Sequence, residues 1–289
     1  MAVIVVAVAI VLLVGPLVLA STGLFKSSRE AASSAPVPAW DRSLTVASTL
    51  LYTLAFNLTF LIQELFLVLP KALTPGLQPT LFHNNHKWVG QNPLASLFQG
   101  TGALATVLAA LICITLLRHA RGTTLRLFLV WMAYCGLFMA LPQVVIGALS
   151  SGSDVGMAMD YLQMGPTAKT ASALVALMVM PLAAMWLARE LLGLADQPAR
   201  IATPRSRTRF MFQVATLPVI VGTALVIPFR VPREALEVVL LPVLVAWIGV
   251  VWMQAGAWRL HGVQARGSGA GCTRWLLLAV VALLAVFQL

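Results

Sequence analysis

Long apolar runs, broken at intervals by short polar stretches, set the pattern of the chain. The runs lie at approximately 2–20, 44–69, 94–117, 124–149, 168–188, 210–228, 235–258 and 275–289. A helix needs about 20 apolar residues to cross a hydrocarbon core of about 30 Å. The pattern predicts an all-α protein, a polytopic transmembrane helical bundle of about 8 spans. The last run is short and ends at Leu289. Pro142, Pro181, Pro218 and Pro242 fall inside runs and predict kinks. The stretch GLADQPARIATPRSRTR at 193–209 reads as a cytoplasmic linker loop. It divides a membrane domain at 1–192 from C-terminal membrane helices at 210–289. No internal repeat supports an inverted-repeat transporter.

Composition agrees with the pattern. Hydrophobic residues make up 60% of the 289 residues, charged residues 10%, and the mean hydropathy is +0.92. A soluble domain carries about 25% charged residues, so the solvent here is lipid. The net charge of +10 does not indicate nucleic acid, because the basic residues are scattered through the loops. They sort by side instead. Lys26, Arg29, Arg42, Arg118, Arg121, Arg126, Arg189, Arg200, Arg205, Arg207, Arg209, Arg259, Arg266 and Arg274 fall on one side; Lys71, Lys87, Lys169, Arg230 and Arg233 fall on the other. The first side is expected to be cytoplasmic, beside anionic headgroups, with both termini outside. The expected setting is a bacterial inner membrane, with the lipid bilayer and other membrane-protein subunits as partners. The first run has no basic n-region, and cleavage near Ala20 would invert every later loop, so it is expected to stay as a helix. Cys113 and Cys135 lie in apolar runs and Cys272 in a basic loop, which reads as small buried hydrophobes plus one loop thiol.

Three polar groups stand out at membrane depth, where ionisable side chains are costly and usually inward-facing, paired or functional. In LYTLAFNLTFLIQELFLVLP, Thr53, Asn57 and Glu64 return to one helical face, with Gln63 one step aside. In FHNNHKW, His83 and His86 flank Asn84 and Asn85; a helix here would set both imidazoles on one face, whereas the surrounding prolines favour a structured loop with Trp88 among headgroups. In SSGSDVGMAMDYL, Asp154 and Asp160 lie in a glycine-containing loop. The topology sends the end of the Glu64 span and both loops to the outer face, where Glu64, His83, His86 and Asp154 are able to converge around a divalent metal. Plain interhelical hydrogen bonding and a solvated interfacial loop are the competing readings.

The order of these features resembles the site-2-protease-like (M50-like) membrane metalloproteases, over about residues 50–165. QELFL at 63–67 stands where their HExxH stands, FQGTGALATVLAAL at 98–111 resembles their small-residue helix start, and the segment 126–162 resembles the later helix with its Asp motif. The resemblance implies Glu64 as the water-activating catalytic residue and Asp154 as a zinc ligand. Gln63 and Leu67 replace the two zinc histidines, which leaves His83 and His86 as the local stand-ins; His119 and His261 fall on the other side. Asn57, Gln63, Asn84, Asn85 and Asp160 would line the cavity. No P-loop, GxGxxG or GxSxG is present. The sequence therefore predicts a non-proteolytic membrane protein on a degenerate scaffold, with an outer polar site for a partner, lipid or metal. The alternatives are a zinc-dependent hydrolase with relocated ligands, a small transporter or channel, and a structural subunit of a membrane complex.

Overall fold

The computed structural model describes residues 2–30, 38–82, 85–227, 241–268 and 273–286. Its helices are α1 (Ala2–Glu30), α2 (Arg42–Ala72), α3 (Leu94–Phe98), α4 (Thr101–Leu117), α5 (Thr123–Leu149), α6 (Asp154–Tyr161), α7 (Pro166–Leu192), α8 (Pro204–Met211), α9 (Leu217–Val226), α10 (Leu241–Gly256) and α11 (Thr273–Val286). Two short antiparallel strands, β1 (Leu77–Leu81) and β2 (His86–Gly90), form a hairpin after α2. Among the described residues, 6 segments are long and apolar enough to cross a membrane: Val3–Gly23, Arg42–Ala72, Leu94–Leu117, Thr123–Leu149, Pro166–Leu192 and Pro204–Val226. The chain is thus a multi-pass helical membrane protein in architecture. Of the two further runs expected to span, 235–258 begins outside the described residues, and 275–289 contributes the shorter α11 of 14 residues.

Helices α2 and α5 are the most enclosed of the spans, each with 72% of its apolar window buried. Their contact is aromatic: Tyr52 meets Trp131 edge-on at 5.1 Å, and Trp131, Tyr134 and Phe138 continue the stack along α5. The small stripe Gly102, Thr106 and Ala110 is buried and lets α4 approach its neighbours, Gly102 against Leu67 and Gln63 of α2, Thr106 and Ala110 against Gly136 of α5.

Proline within a helix removes a backbone donor and leaves the carbonyl four residues earlier without its α-helical partner, at a cost of about 3 kcal/mol. Lipid offers no replacement, so neighbouring side chains must. Three prolines here are answered in that way. Pro16 frees the Leu12 carbonyl, which accepts from the Trp252 indole at 2.9 Å. Pro70 frees Phe66, which accepts from the Thr101 hydroxyl at 2.6 Å. Pro218 frees Val214, which accepts from Ser48 at 2.6 Å, and the helix slips into π geometry over Phe212–Thr216. The Tyr134 hydroxyl does related work inside α10: it accepts from Val250 N at 3.0 Å and donates to the Ala246 carbonyl.

The two ends of the bundle differ. At one end, Arg126 pairs with Glu190 at 3.2 Å, Arg200 reaches Ala39 O, Ser268 N donates to Thr123, and Arg266 N donates to Gly193 O. The 193–209 stretch is therefore tied to 266–267 by backbone hydrogen bonds and leads into α8, which a Thr203/Ser206 capping box opens. The other end carries the hairpin, α3, and α6 packed against α3. This hairpin end brings together the C-terminal turns of α2 and the segment around Asp154.

Candidate functional site

The segment FHNNHKW is not a helix. His86 opens β2, and alternation along the strand turns His86 and Trp88 toward the bundle while Lys87 and Val89 face outward, exposed. Leu77, Pro79 and Leu81 of β1 pair with Gly90, Trp88 and His86. Gly90 adopts φ +114°, and a β-carbon there would lie 1.9 Å from the Gly76 carbonyl, so the base of the hairpin closes only on glycine. His83 and Asn84 lie outside the described residues. Asn85 serves the hairpin itself: its carbonyl accepts from Phe82 N, and its side chain accepts from His86 N at 2.8 Å.

Under the hairpin lies a continuous polar chain. Glu64 Oε2 sits 2.8 Å from His86 Nδ1, His86 Nε2 sits 3.0 Å from Gln99 Oε1, and Lys71 Nζ donates to the same Gln99 oxygen at 2.7 Å. Glu64, Lys71 and Gln99 retain 4%, 0% and 3% of their surface. The Lys71 ammonium lies 4.5 Å from the centre of the Trp88 ring, and Trp88 stacks on His86 at 5.7 Å. Glu64 and Asp154 both attract that ammonium electrostatically. Asp154 is half-buried in the first turn of α6, behind the Ser153 cap, where a helix N-terminus favours a carboxylate.

The network fixes its own proton pattern. Lys71 has only donors, so Gln99 must turn its oxygen to it, and His86 Nε2 must then carry a hydrogen to donate to that oxygen. One proton remains between Glu64 Oε2 and His86 Nδ1. Whether it rests on the imidazole or on the carboxyl, the pair is neutral overall, and Lys71 is balanced by Asp154. A buried arrangement of this kind is stable only if every member is satisfied.

The other expected residues take different roles. Asn57 is buried and donates to its own helix at Thr53 O, 2.8 Å away; Thr53 and Thr49 likewise turn back on α2. Gln63 accepts from Gln143 of α5 at 2.9 Å, the interhelical bond that a buried amide needs. Asp160 lies in α6, not in a loop, and pairs with Lys169 of α7. Hydrogen bonds from Lys169 and then Ser151 hold its carboxyl below the ordinary carboxylate range. Gly156, expected to serve a turn, lies in α6; a β-carbon there would meet the Ser150 carbonyl at 2.0 Å.

Of the expected ligands, Glu64, His86 and Asp154 are described and His83 is not. Among the described residues no group of three or more His, Cys, Asp or Glu is placed to hold a metal. Both ring nitrogens of His86 are engaged, and the Lys71 ammonium already places a cation on the oxygen that His86 shares. Cys113 and Cys135 are buried among apolar side chains.

Sequence reasoning missed Lys71, Gln99 and the contact role of Trp88. Lys71 had a legible signal, a cation at the end of the same span as Glu64, seven residues on and thus two turns along one face. Gln99 had a weaker one, an amide in the FQG break between α3 and α4. No protein-family model, curated protein or solved structure matches the chain.

Proposed function

We propose that the chain is a non-proteolytic multi-pass membrane protein whose working surface is the hairpin-capped end, facing outward from the cytoplasm, where it binds a partner subunit or lipid. The reading rests on one observation: the Glu64–His86–Gln99–Lys71 chain is closed on itself, so its polar groups fasten a lid rather than wait for a substrate. The site-2-protease-like order of segments enters this reading only as a scaffold whose hydrolytic centre has become a latch. The outward hairpin face, with Gln78, Thr80, Lys87 and Val89 exposed, is the surface left to a partner. Orientation follows from charge: the arginine-rich end belongs in the cytoplasm.

The test is a comparison of latch and catalyst. Purified protein in bilayer discs is given zinc and a membrane-embedded peptide reporter, and hydrogen exchange is followed across 77–90. The expected result is no cleavage by the wild type, and faster exchange across the hairpin in Glu64→Gln and His86→Gln. Cleavage by the wild type that Glu64→Gln abolishes would overturn the reading.

A further inference from the structure

The two edges of the hairpin are not alike. Phe82 N donates to the Asn85 carbonyl, and in the observed register that makes Thr80/Lys87 and Gln78/Val89 the bonded pairs of the ladder. Leu81/His86, Pro79/Trp88 and Leu77/Gly90 are then the non-bonded pairs, whose backbone groups turn away from the opposite strand. On β1 that outer row is nearly spent. Pro79 has no N–H, Leu77 N donates to Thr74 O at 3.3 Å, and the strand lies against α2. On β2 only His86 N is spent, on the Asn85 side chain at 2.8 Å. Trp88 N, Gly90 N and the His86, Trp88 and Gly90 carbonyls bond to nothing among the described residues. Apart from β1 and α2, no described element packs along β2.

Edges of this kind take added strands, and proteins blunt those they do not use. Proline and a spent donor blunt β1, whereas β2 stays armed at Trp88 and Gly90. These two residues repeat along the strand at roughly 7 Å, each with a donor and an acceptor. Another extended main chain answers both at that repeat; lipid headgroups offer no fixed row of donors and acceptors. The row is held firm from within, because Trp88 stacks on His86 and lies against the Lys71 ammonium. Lys87, next to Trp88, turns its side chain to the exposed outward face. A carboxylate across the strands from it is favoured and a second cation disfavoured.

We infer that the outer edge of β2 takes an extended segment of a partner protein as a third strand, with an acidic residue opposite Lys87. The inference rests on the hairpin face as the working surface and assigns that surface to a polypeptide. Full-length protein in phosphatidylcholine discs is titrated with a short peptide that has valines on one face and threonines on the other, one threonine replaced by glutamate. Amide exchange is read residue by residue across 77–90. Exchange at Trp88 and Gly90 is expected to slow at least about tenfold at saturation, with the amides of Lys87 and Val89, already bonded to β1, little changed. The same peptide N-methylated at the two residues flanking the glutamate lacks the ladder donors and is expected not to protect. Replacing its glutamate by lysine should weaken binding about fivefold, and Lys87→Glu should reverse that preference. The peptide arms need no variant, so the outcome does not hinge on folding. Absence of protection at Trp88 and Gly90, equal protection by the N-methylated peptide, or the same protection from phosphatidylglycerol alone overturns the inference. Cleavage of the membrane-embedded reporter by the wild type would instead overturn the reading of the hairpin as a lid, and is a separate readout.

Discussion

The two ends of this bundle handle charge by opposite means. At the hairpin end, Lys71, Glu64, His86 and Asp154 are drawn inside and spent on one another. At the other end Arg126 and Arg200 form half-buried ion pairs, most of the other described arginines stay outside, and the buried one, Arg207, is met by backbone carbonyls. A buried charge that loses its partner costs several kcal/mol, whereas an exposed one can lose its partner with little consequence. The hairpin end should therefore be brittle to substitution and the arginine-rich surface tolerant, with Arg207 as its single brittle point.

The sharpest way to break that contrast is Lys71→Met. It leaves the half-buried Asp154 carboxylate without its ammonium and the buried Gln99 oxygen without that donor, and a loss of about 3–5 kcal/mol is expected in reversible unfolding from detergent micelles. Adding Asp154→Asn to Lys71→Met should recover part of it, because the two charges are coupled. Next comes Arg207→Met, which strips three carbonyls of a charged donor; about 1.5–3 kcal/mol is expected by the same measurement, with faster exchange across 257–261. Gln99→Leu keeps the volume but orphans donors on Lys71 and His86, for about 1–3 kcal/mol. By comparison Arg118→Gln should stay within about 0.5 kcal/mol. If Arg118→Gln matched Lys71→Met, the contrast between the ends would fail.

The smallest effect concerns Asp160, exposed at the hairpin end but outside the network. Its folded pKa is depressed, so its pairing with Lys169 contributes above the ordinary carboxylate value of 3.8 and is lost as pH falls through the lower folded value. Protection from hydrogen exchange at the α6–α7 turn, corrected for the intrinsic rate, should fall in the wild type as pH drops from about 5 to about 3 and stay flat in Asp160→Asn.

Six of the eight expected spans and the approach of Glu64 to the His86 loop were legible, because each depends on hydropathy and chain order alone. The hairpin was not. The surrounding prolines read as a structured loop, but nothing in them named paired strands: Gly76 and Gly90, both at positive φ, close the segment into a hairpin and leave His86 pointing inward. Asp154 was read as a loop residue because SSGS looks like a loop; Ser153 instead caps a helix there. The closed network could not be foreseen, since Lys71 and Gln99 are 28 residues apart and meet only through the bend between α3 and α4. Pro218 was legible as a kink, but nothing in its neighbourhood names Ser48 as the donor that makes it tolerable.

The pairing of Pro70 with Thr101 carries a consequence for how such a chain changes over time. While the proline is present, replacing Thr101 strands the Phe66 carbonyl in an apolar setting. Once a residue with an N–H stands at 70, the helix supplies its own donor and the threonine becomes dispensable. The same two substitutions are thus costly in one order and nearly silent in the other. Mutational drift at the two positions, 35 residues apart, runs through a one-way gate: the proline must go first.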